Sequence, residues 1–102
     1  MKKTLLFTML MSVGGAMANS VEFEEPFRLE AGGEIICAES PGYACPTIFD
    51  LDADGKEDLI VGQFNGGKMM FYKNIGIPGK LKFAKGTWLM NGKKPASVPG
   101  VW

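Results

Sequence analysis

Histidine is absent from this chain of 102 residues, and cysteine occurs only twice. Without histidine, the usual group for moving protons near neutral pH is missing. Ser40 and Ser97 have no visible activating partner, so nothing in the chain points to catalysis. Two cysteines without histidine also make a poor zinc set, which takes four nitrogen or sulfur ligands. Charge of one sign is lacking as well, with eleven basic residues against eleven acidic ones. The lysines between Lys68 and Lys94 are scattered and form no basic stripe, which argues against a nucleic-acid partner. No segment after the first eighteen residues holds a helical period for long, so long amphipathic helices are not expected.

What the N-terminus does have is a pattern of export. Lys2 and Lys3 precede an apolar run from Leu5 to Val13, and Ala16-Met17-Ala18 supplies a small-x-small cleavage pattern. The run is short for a bilayer span, so residues 1–18 read as a cleaved signal peptide rather than a retained anchor. No cysteine follows it, which disfavours a lipid anchor. The expected mature chain starts at Asn19, has no membrane span, and is secreted, periplasmic or held at the cell surface. Losing Lys2 and Lys3 leaves nine basic residues against eleven acids, a net charge of about −2.

Export also bears on Cys37 and Cys45, because an oxidising compartment permits disulfides. A bridge between them would close a loop of about 9 residues and stabilise by roughly 2.5 kcal/mol on a chain-entropy estimate. Two free thiols, or pairing outside the chain, are the alternatives.

The densest signal is Asp50-Leu51-Asp52-Ala53-Asp54-Gly55-Lys56-Glu57-Asp58. Two carboxylates about 6 Å apart repel by roughly 3 kcal/mol at an effective dielectric of about 20. Four around one glycine therefore suit a bound hard cation, and calcium takes six to eight oxygens in flexible geometry. Asp50, Asp52 and Asp54 fit loop positions one, three and five, and Gly55 allows the sharp turn. Lys56 can offer its backbone carbonyl, and Asp58 the ninth-position oxygen. A solvated acidic turn without metal is the plainer alternative. The position where an EF-hand needs a bidentate Glu is Val61, and the flanks Thr47-Ile48-Phe49 and Leu59-Ile60-Val61 are extended in character. The loop is therefore expected to join two strands.

Short alternating runs between turn signals predict an all-β chain. Strands are expected over 21–30, 34–38, 46–51, 58–64, 68–74 and 81–89, with turns at Asn65-Gly66-Gly67, around Ile77-Pro78-Gly79 and at Asn91-Gly92. Pro26 marks the first as an edge or a break. Residues 21–32 also echo residues 81–92, with Phe23 answering Phe83, Leu29 answering Leu89 and Gly32 answering Gly92. This suggests a repeat at an offset of about 60 residues.

The motif F-D-L-D-A-D-G-K-E-D-L-I-V-G at Phe49 to Gly62, followed by G-G-K-M-M-F-Y-K-N at Gly66 to Asn74 and then Phe83, resembles an FG-GAP or VCBS-type repeat. That is the blade unit of integrin-α-like β-propellers. The resemblance implies an antiparallel four-stranded blade over 46–90, with a calcium loop at 50–58 between its first two strands. It implies ligands Asp50, Asp52, Asp54 and Asp58 by side chain and Lys56 by carbonyl. Residues 19–45 would then hold outer strands of a preceding or partial blade, and 91–102 a linker into a next repeat. The family closes about seven blades into a ring, whereas this chain supplies about one and a half, an incomplete propeller that reads as the front of a longer exported protein.

The function so implied is structural, adhesive or ligand-binding, with neighbouring blades and a glycan or protein as partners. A propeller-bearing polysaccharide-acting enzyme is the alternative parent. A mature chain of about 84 residues buries only some 60–65% of its extended surface. A lone blade is therefore expected to expose Phe49, Ile60, Phe64, Met70 and Tyr72.

Overall fold

The computed structural model describes residues 20–100, so the stretch read as a signal peptide lies outside the described residues. The fold is all-β and antiparallel, with one four-stranded sheet flanked by two small hairpins. The first hairpin pairs β1 (Glu30–Ala31) with β2 (Glu34–Ile35). The sheet follows as β3 (Ala44–Phe49), β4 (Asp58–Gln63), β5 (Met69–Tyr72) and β6 (Thr87–Trp88), in sequence order. The second hairpin pairs β7 (Met90–Asn91) with β8 (Lys94–Pro95).

Register assigns each side chain to a face, because paired residues share one. Leu59 pairs with Tyr72 and Val61 with Met70, so these four lie on one side of the sheet. Over that side Phe83 and Ala31 close, with Ile36 packed against them. The core is thus built partly from segments outside the sheet. Ile60 with Phe71 and Gly62 with Met69 make the opposite side, which is only half-buried. Tyr72 and Met70 differ from the exposure expected of a lone blade: Tyr72 is buried and Met70 half-buried, because Phe83 and its neighbours cover them. Phe49 and Phe64 do remain exposed.

Of the six expected strands three sit close to their places, 34–38 is shortened to Glu34–Ile35, and two differ more. Residues 20–29 carry no strand, since Pro26 removes a ladder donor and Glu22, Glu24 and Glu25 keep the segment in water. Phe23 is accordingly 90% exposed. The expected strand 81–89 is reduced to Thr87–Trp88. Phe83 instead makes isolated bridges, antiparallel to Asn74 and parallel to Ala31. β3 is an edge strand, and its backbone shows how the edge is protected. Phe64 donates its N–H to the Tyr43 carbonyl. The alternation that follows turns the nitrogen of Pro46 away from β4, so the residue without an N–H lies on the open edge.

The two hairpins are the same device at an offset of 60 residues. Positions 30, 31, 34 and 35 correspond to 90, 91, 94 and 95 in register. Ile36 N–H donates to the Leu29 carbonyl at 2.9 Å, and Ala96 N–H to the Leu89 carbonyl at 2.7 Å. Gly32 and Gly92 turn both hairpins at φ of 59° and 65°, which a side chain would resist. Two of the three echoed sequence pairs therefore do the same work. Phe23 and Phe83 do not, since Phe83 is 4% exposed. The stretch expected as a linker, 91–102, thus contains half of a hairpin, which docks by a Val98 N–H bond to the Gly67 carbonyl.

Cys37 and Cys45 are both exposed and free, so the expected bridge is not formed. Cys45 pairs with Gly62 and shares its face. Cys37 follows Ile36, which packs against the core, and burial first and the charge interaction with Cys37 second push the Tyr72 phenol above its usual range. The loop between the cysteines is tied down by polar contacts instead. Glu39 pairs with Lys68 at 2.6 Å and accepts from Gln63 Nε2 at 2.8 Å, while Lys68 lies 4.5 Å from the centre of the Trp88 ring.

Candidate metal centre

The acidic segment is the turn between β3 and β4, as its extended flanks predict. Phe49 pairs with Asp58, so Asp50 leaves the ladder directly after its last pair and Asp58 opens the returning strand. The eight residues from 50 to 57 fold back on themselves through side-chain hydrogen bonds. Asp50 Oδ1 accepts the Asp54 N–H at 3.2 Å and Oδ2 the Gly55 N–H at 2.9 Å. Asp54 Oδ1 accepts the Lys56 N–H at 2.9 Å. Gly55 has φ of 89°, the left-handed turn required of it. Ala53 also has positive φ, at 57°, uncommon for a residue with a Cβ.

Asp58 is the anchor. It is fully buried, and each oxygen accepts one backbone N–H: Oδ2 from Leu51 at 3.2 Å and Oδ1 from Asn74 at 2.8 Å. Asn74, just after β5, also donates its side-chain amide to the Glu57 carbonyl at 3.0 Å. Charge-assisted bonds of this kind hold both ends of the turn to the neighbouring strand.

Carboxylate oxygens of Asp50, Asp52 and Asp58 come within 4.8 Å of one another, close enough to share one metal ion. Asp54 is placed differently. Its Oδ2 lies 2.7 Å from the ammonium of Lys73, which also pairs with Asp52. Lys73 first, and the Lys56 N–H second, hold the Asp54 carboxyl down to about 2. The two carboxylates in turn raise Lys73 above the ordinary lysine range. Of the expected ligand set, the structure thus gathers three side chains and leaves the fourth on a lysine. Lys56 contributes its N–H to the turn.

The donor chemistry fits a hard divalent cation. An ionised carboxylate offers about four acceptor sites, and each of Asp50 and Asp58 uses two of them within the protein. Both can therefore still face an ion while held in position. Lys73 and Asn74 are the residues that sequence reading missed. They lie 19 and 16 positions from their partners Asp54 and Asp58, and only strand pairing brings them there.

The chain matches no family model, no curated protein and no solved structure.

Proposed function

We propose that the chain is a calcium-stabilised β-repeat of an exported protein, of the FG-GAP or VCBS type, with a structural, adhesive or ligand-binding role and no catalytic step. The observation that carries this reading is the convergence of Asp50, Asp52 and Asp58 at the turn between the first two strands of a four-stranded antiparallel sheet. Oxygen-only donors suit calcium, and the loop's positions also allow Asp54 and the Lys56 carbonyl to complete the shell. The matched hairpins at either end support a repeat whose sheet is one blade, with neighbouring blades as its natural contacts. In this role calcium closes the turn and holds the blade, and a glycan or protein would be bound by the assembled repeats.

The test is a calcium titration of the full chain, read by thermal unfolding. At ten times Kd, binding adds about 1.4 kcal/mol, or roughly 5–10 °C for a domain of this size. Asp50→Asn plus Asp52→Asn should abolish the rise. No shift at about 10 mM calcium, ten times the weakest affinities of extracellular modules, would defeat the reading.

A further inference from the structure

Lys73 stands where the loop's chemistry would place a cation. Its backbone is fixed, because its carbonyl accepts the Ala84 N–H at 2.9 Å and the next residue clamps Asp58 and Glu57. The side chain is not: it reaches the loop on a flexible stem and remains 39% exposed. Its ammonium pairs with Asp52 and Asp54 together. Asp52 is at the same time one of the three carboxylates that converge. A divalent ion and the ammonium therefore compete for one carboxylate, and both cannot hold it at contact distance without strong repulsion between them.

We propose that Lys73 is a tethered counter-cation of the β3–β4 loop, which shapes the loop in the metal-free chain and is displaced from Asp52 when a divalent cation binds. This rests on the metal reading of the loop. Lys73 sets the affinity from outside the ligand set: it neutralises part of the carboxylate repulsion beforehand, so the incoming ion gains less. It also keeps the metal-free loop near its bound shape, since Asp52 and Asp54 stay gathered at the end of β5. The effect is that of a weak, reversible site in a loop that does not open when the ion leaves.

The experiment compares the full chain with Lys73→Gln, Lys73→Met and Lys73→Arg, using calcium alone, calorimetric affinity and the melting temperature without metal. Removing the charge should tighten calcium binding about tenfold, the scale of two screened ion pairs. The same two variants should melt lower than wild type without metal, and Lys73→Arg should keep wild-type affinity within about threefold. Gln and Met variants that bind calcium no more tightly than wild type would overturn the proposal while leaving the metal site standing. So would a tenfold gain in the arginine variant, since its charge is retained. A chain in which neither wild type nor variants bind calcium removes the metal reading itself, and Lys73's role falls with it. Using two neutral variants keeps the comparison open should one fail to fold.

Discussion

At the residue scale the four aspartates of the loop have unequal jobs, although the sequence spaces them alike. Asp58 is structural before it is anything else, since both its oxygens accept backbone N–H groups and the residue is fully buried. Asp50 folds the turn, and Asp52 and Asp54 face a lysine. Asp58→Ala should therefore destabilise the metal-free chain by about 2–4 kcal/mol, because two backbone donors lose a charged acceptor and a buried side chain is removed. Asp52→Ala, a partly exposed change, should cost far less without metal and most of the response to calcium. Denaturant unfolding with and without calcium separates the two. The carboxylate cluster was legible because repelling charges at regular spacing imply a counter-charge. The division of labour was not, since it depends on which backbone groups the turn points inward.

At the element scale the sheet depends on close approaches that no alternation pattern announces. Gly86 precedes β6, and a Cβ there would meet the Tyr72 ring at 2.5 Å and the Met70 side chain at 2.9 Å. Without a side chain here the chain can pass close over Tyr72 and Met70. Gly86→Ala should cost about 1–3 kcal/mol through overpacking, read as a lower midpoint in urea. β4 and β5 were readable in sequence, because apolar runs between turn residues meet in a ladder. Residues 21–30 were not, because strand character without a partner yields no ladder.

At the scale of the whole molecule, Phe83 joins what the chain order separates. It bridges Asn74 of the sheet and Ala31 of the first hairpin, and its carbonyl accepts the Gly32 N–H at 3.1 Å. Among the described residues it is one of two aromatic side chains in the buried core, with Tyr72 the other. Phe83→Ala should remove about 3–5 kcal/mol, much of the total for a domain this small. Circular dichroism should then show loss of cooperative unfolding, and Phe23→Ala should change little. The sequence echo made these two phenylalanines look equivalent, yet only one has anything to pack against.

Local sequence was enough to set the all-β character, the acidic turn between two strands, and the two glycine turns at matching offset. Each follows from local chemistry: alternation, charge repulsion and backbone freedom at glycine. That Phe83 caps the core, and that Lys73 and Asn74 reach the acidic loop, emerged only with the folded chain. Those depend on register and on which segments cross which face. Local sequence carries no record of either, because the partners lie many residues apart and meet only when the sheet has formed.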